Sequence, residues 1–149
     1  LEGQPYFRFA IELTPERNPP GLCDRLREDL RAWIVGRGLG YGMGALGGSR
    51  HLYGEIGPMP PATGGDRAAM AEWLRSQRMH ATVRLEAVVP FSEAADMVAP
   101  ITDWVFEMDT LTEAQRAEAA AYHSELRRWV ESQRVRRAEP GPAADDGGM

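Results

Sequence analysis

From Tyr6 to Leu13 large apolar side chains occupy every second position, Phe7, Phe9, Ile11 and Leu13, with Tyr6, Arg8, Ala10 and Glu12 between them. A period of two predicts a half-buried strand. The run TPERNPPG, with three prolines, a glycine and an asparagine, then breaks the pattern. Leu22, Leu26, Leu30, Trp33 and Ile34 follow at helical spacing and predict a helix over 22–35, with Gly36 or Gly38 as its C-terminal stop. Between Gly36 and Gly57 lie nine of the sixteen glycines. Gly38, Gly40, Gly42 and Gly44 alternate with Leu39, Tyr41, Met43 and Ala45, which predicts a strand with one apolar face and one face of bare backbone. Residues 46–50 read as a turn and 51–56 as the partner strand of an antiparallel, glycine-rich hairpin. Thr63 or Asp66 is a candidate N-cap for a helix over 67–78 that buries Ala69, Met70, Trp73 and Leu74. Residues 80–89 alternate again, with Ala81, Val83, Leu85, Ala87 and Val89 on one side.

The order strand, helix, strand, strand, helix, strand is that of an α+β, ferredoxin-like split βαββαβ sandwich, in which two helices cover one face of a four-stranded antiparallel sheet. The expected core is Phe7, Phe9, Ile11, Leu39, Tyr41, Met43, Leu52, Ile56, Val83 and Leu85, plus the helices. That leaves an open face on which Tyr6, Arg8, Gly40, Gly42, His51, Tyr53 and Arg84 are the candidate binding residues. Beyond it, residues 92–99 predict a short helix stopped by Pro100, and 101–108 carry Trp104, Val105 and Phe106. Thr110 and Glu113 match a capping box that introduces a helix over about 113–137. Its apolar stripe, Tyr122, Leu126, Trp129 and Val130, is the candidate partner or dimer surface. The expected organisation is a core over 4–90, a helical extension over 91–138 packed on the core or on a partner, and a disordered tail over 139–149 rich in Pro, Gly, Ala and Asp.

Composition narrows the function. A chain of 149 residues, 43% hydrophobic and 26% charged, has the make-up of one globular domain. A single cysteine, Cys23, excludes an intramolecular disulfide and a Cys-rich zinc site. No apolar run approaches the roughly 18 residues of a membrane span, so the expected location is cytoplasmic, with no membrane partner. Residues 1–90 carry eleven Arg against ten acids and residues 91–149 six Arg against twelve, which are the +1 and −6 of the net −5. That balance argues against DNA as a partner.

Each candidate for chemistry has a plainer reading. Gly42, Gly44 and Gly47 match GxGxxG, but after a helix and inside a hairpin, where a dinucleotide loop does not belong. The absence of lysine leaves no phosphate-loop motif. His51 shares a strand face with Glu55 but lies about 13 Å from it along the chain. Cys23 near a helix start reads as core, and Asp103, Glu107 and Asp109 as a solvated helical face. Tyr6 and Tyr53 are candidates for an RNA-stacking platform.

The amphipathic first helix, the glycine-rich approach to the second strand, the Tyr53-Gly54 step and a helix ending in Trp73-Leu74 make residues 7–89 resemble the YggL-like family. These are small bacterial ferredoxin-like proteins associated with the large ribosomal subunit. The resemblance covers just over half the chain and implies that fold and a ribosomal or RNA association. This sequence lacks the family's lysine-rich N-terminus and adds a C-terminal region of net negative charge. The expected function is a non-enzymatic binding module, without catalytic residues, cofactor or metal. It engages a protein partner of basic chemistry, as an inhibitor, immunity or adaptor protein would, or a second copy. The alternatives are ribosome or RNA association and a small-ligand or enzymatic ferredoxin-like domain.

Overall fold

A computed structural model describes residues 1–46, 50–103 and 105–138; residues 47–49 within the expected turn, Trp104, and residues 139–149 of the expected disordered tail lie outside the described residues, as does the side chain of Leu46. The chain is α+β, and its described residues form a six-stranded antiparallel sheet and three helices. In chain order these are β1 (Pro5–Leu13), α1 (Leu22–Gly36), β2 (Tyr41–Leu46), β3 (His51–Ile56), α2 (Gly64–Arg75), β4 (His80–Leu85), β5 (Val89–Pro90), β6 (Val105–Asp109) and α3 (Glu113–Ala138). The strand order is β2-β3-β1-β4-β6, and the short β5 pairs with the start of β1.

The apolar face of β1 is the centre of the core, because β1 has neighbours on both sides. Phe7, Phe9 and Ile11 have no exposed surface, and Leu52, Ile56, Val83 and Leu85 extend the layer across β3 and β4. Leu26, Leu30 and Ile34 of α1 and Met70, Ala71 and Leu74 of α2 close it from above. Each such side chain contributes roughly 1.5–3 kcal/mol by leaving water. Trp33 and Trp73 meet between the helices at 5.9 Å. Leu39 and Met43 pack on the core's rim, but Tyr41 is more than a third exposed, because β2 is an edge strand. α1 ends where Gly38 turns left-handed (φ 74°) and Leu39 donates to the Ile34 carbonyl at 3.1 Å. α2 starts at Gly64 and not at Arg67, because Thr63 caps it, with Asp66 completing the box through the Thr63 backbone N–H at 2.9 Å.

Several expectations fail after residue 85, where β4 ends although its strand was expected to run to Val89. The sheet has six strands where four were expected. Residues 92–99 form turns and no helix, held by the ladder that Phe91 makes with Gln4 and Gly3. Residues 105–109 form β6, with Phe106 and Met108 toward the core and Val105, Glu107 and Asp109 away from it, so the acids do not share a helical face. The cap of α3 lies two residues later than expected. Thr112 and Gln115 exchange the reciprocal bonds, at 3.2 Å from the Gln115 N–H and 3.0 Å from the Thr112 N–H. Thr110 has other work: its backbone and hydroxyl bond Met79, at 3.0 and 3.2 Å, and its hydroxyl also donates to the Gln77 carbonyl.

Candidate functional site

The sheet face away from the helices is laid out in rows by the strand register. One row runs Gly42, Glu55, Arg8; the next Gly44, Tyr53, Ala10, Arg84, Val105; the third carries His51, Glu12, Thr82 and Glu107. The bare positions of β2 are filled from β3. A Cβ on Gly42 would collide with the Glu55 carboxylate, and one on Gly44 would lie 2.9 Å from the Tyr53 ring. Tyr53 and Glu55 therefore lie flat across β2, and the glycines make room for them. Gly40 has a different reason, since a Cβ there would strike the Met59 carbonyl.

Tyr6 and Arg8 do not lie on an open face. They are 3% and 8% exposed, because residues 91–99 fold back over the start of β1. Phe91 meets the Tyr6 ring edge-on at 5.5 Å, and the Tyr6 hydroxyl points to the Met97 sulfur at 3.6 Å. Arg8 donates twice to Glu86, at 2.8 Å from Nε and 2.5 Å from Nη2. Its Nη1 reaches the carbonyls of Ala99 at 2.8 Å, Met97 at 3.3 Å and Asp96 at 3.4 Å. The hydrogen bond to Glu86 raises the Arg8 pKa further above its ordinary value. The two tyrosines are thus divided, with Tyr6 covered and Tyr53 exposed, and no stacking platform joins them.

Glu55 is pushed above the ordinary carboxylate range by burial, which the nearby Arg8 opposes. His51 is half-buried two rows away, edge-on to Tyr53 at 6.3 Å, with a buried Nε2 that has no hydrogen-bond partner. Arg84 is half-buried on the same face. Burial raises the Cys23 thiol, and Asp24 raises it further, as fits a core side chain. Asp103 lies 3.8 Å from Arg67. Among the described residues no three His, Cys, Asp or Glu side chains gather where they could hold a metal, and no helix is long and apolar enough to cross a membrane.

The second surface belongs to α3. Its N-terminal end is fastened to the domain: Leu111 and Ala119 are buried, His123 Nε2 meets the Asn18 carbonyl at 3.3 Å, and Arg127 pairs with Glu16. Asn18, buried itself, holds the 14–18 loop to β4 by donating to the Thr14 and His80 carbonyls at 3.1 and 2.9 Å and accepting from the His80 N–H at 2.8 Å. From Ser124 to Ala138 every residue except Gln133 is exposed. Tyr122, Leu126, Trp129 and Val130 are 39%, 43%, 59% and 43% exposed. They follow one side of the helix, and where that side passes the domain it forms the wall of a cleft of about 510 Å³. Leu13, Pro20, Leu22 and Arg50 face Tyr122 and Leu126 across it. Sequence reasoning found the stripe but missed the cleft, whose other wall comes from the proline-rich loop and the start of α1; the pair PP before a helix was its only signal. It also missed Asn18 and the pairing of Glu86 with Arg8, which only the fold brings together.

The expected acidity of the extension does not extend to its helix. α3 holds six Arg against four Glu, and the acids gather before it, at Glu93, Asp96, Asp103, Glu107 and Asp109, and after it, at Glu139, Asp145 and Asp146. No known protein family, curated protein or solved structure matches this chain.

Proposed function

We propose that the chain is a ferredoxin-like protein-binding module whose binding element is α3. The ferredoxin-like part of the reading is supported by the order β2-β3-β1-β4 within the larger sheet, with α1 and α2 on one face of it. The binding part is carried by one observation: a helix anchored at one end presents Tyr122, Leu126, Trp129 and Val130, all at least 39% exposed, along a single side. A continuous apolar strip with two aromatics is what a helix offers to a groove on another protein. Trp and Tyr are also the side chains that most often dominate such contacts. Arg134 and Arg137 border the strip beside Trp129 and Val130, so the complementary groove has an acidic rim. This is the opposite of the basic partner that the net charge of the C-terminal region led us to expect. The reading requires no catalytic group, cofactor or metal.

The test is a photo-crosslinker in place of Trp129, compared with one in place of Glu72 on the exposed side of α2, in extract of the source cell. The captured chain is then purified and titrated against wild type and Leu126→Asp/Trp129→Asp. A partner captured at 129, absent at 72 and bound at least tenfold more weakly by the double variant is the expected result. Equal capture at both positions, or unchanged affinity in the double variant, overturns the reading.

A further inference from the structure

Resting on that reading, we propose that the partner of α3 is a second copy of this chain, paired antiparallel through α3 and its cleft. Three observations converge. The charges of α3 are segregated: residues 113–126 hold Glu113, Glu118 and Glu125 against Arg116, and residues 127–138 hold five arginines against Glu131. An antiparallel pair sets the basic half of each helix beside the acidic half of the other, whereas a parallel pair sets like against like.

The second observation is the position of the cleft. It lies beside the N-terminal half of α3, between Tyr122 and Leu126 on one wall and Pro20 and Leu22 on the other, with Asp24 at its edge. In an antiparallel pair the exposed C-terminal half of the partner helix runs past this wall. There its Trp129 meets Leu126 and its Arg137 approaches Glu118, beside a wall that carries Glu16 and Asp24 as well as Arg50.

The third is length. At about 1.5 Å per residue α3 is about 39 Å long, and the part beyond the Arg127–Glu16 pair extends about 16 Å. That reach matches the half-helix an antiparallel partner must cover. With the two-fold axis between Arg127 and Arg128, Leu126 of each copy faces Trp129 of the other, and Tyr122 faces Gln133. The apolar stripe and Gln133, half-buried while its neighbours are exposed, then lie in one seam. Such an interface is self-complementary and closed, as a two-fold dimer must be.

Sedimentation velocity on the full chain from about 1 to 100 μM reads the mass directly. A dimer is expected, and Trp129→Asp is expected to shift it to monomer with an unchanged far-ultraviolet spectrum. Orientation is read by charge reversal. Arg134→Glu/Arg136→Glu/Arg137→Glu weakens an antiparallel dimer at least tenfold, and adding Glu118→Arg/Glu125→Arg restores it. In a parallel dimer the same arginine reversal relieves repulsion and strengthens association, which overturns the proposal. A monomer at every concentration also overturns it, while the docking reading survives if another chain is captured at position 129. If Trp129→Asp fails to fold, the arginine and glutamate reversals, which lie on exposed positions, carry the test alone.

Discussion

At the scale of single residues, the glycines of β2 are explained by their neighbours' side chains. Tyr53 and Glu55 rest where side chains of β2 would stand, and Gly54 has its own constraint, since a Cβ there would strike the Gly42 carbonyl. Laying Glu55 over the strand partly removes it from water and raises its pKa. A carboxyl raised in the folded state leaves stability intact below its unfolded pKa and lowers it as pH rises through the folded value. Glu55→Gln is therefore expected to raise the melting temperature at pH 7, with the gain vanishing below the ordinary carboxylate range; a gain that is constant with pH would contradict this. The alternation of the glycines was legible in the sequence, and so was a strand with one empty face. What fills that face was not, because it depends on which residue of β3 stands opposite each glycine, and pairing register is not written in either strand alone.

At the scale of elements, periodicity and caps decided how much could be read. β1, α1, β3 and α3 were located to within a residue or two, whereas the glycine strand was expected from Gly38 and β2 begins only at Tyr41, because Gly38 turns left-handed to end α1. β6 has five residues, too few for an alternation of Phe106 and Met108 against Glu107 and Asp109 to be told from a helical turn. α3 shows how two overlapping signals compete: Thr110 and Thr112 both precede an acid or amide by three, and the tie is broken by Thr110's bonds to Gln77 and Met79. Thr112→Ala is accordingly expected to cost about 1 kcal/mol, read by urea unfolding and by faster amide exchange in the first turn of α3. Little change on Thr112→Ala would place the cap elsewhere.

At the scale of the molecule, Arg8 joins the central strand to a segment almost ninety residues away. It pairs with Glu86 and holds three carbonyls of residues 96–99, which seals Tyr6 beneath them. Removing one partner of a nearly buried ion pair leaves the other charged and unmatched. Arg8→Ala is expected to cost about 3 kcal/mol and to speed amide exchange at Asp96–Ala99 while leaving β6 protected; equal exchange in both would show that the segment does not depend on the clamp. The strand alternation placed Arg8 on the polar face, but nothing local marks it as covered, because its cover arrives from turns without a pattern of their own. This arrangement has a consequence during synthesis. β1 leaves the ribosome before every strand it pairs with: Phe7 waits for Ile56, Phe9 for Leu85, and Arg8 for Ala99. Before residue 51 is added only α1 can shade PYFRFAIEL, the most apolar strand of the sheet, and β3, α2 and β4 cover it only in turn, so a growing chain is most prone to stick to its neighbours until residues 51–85 have been added.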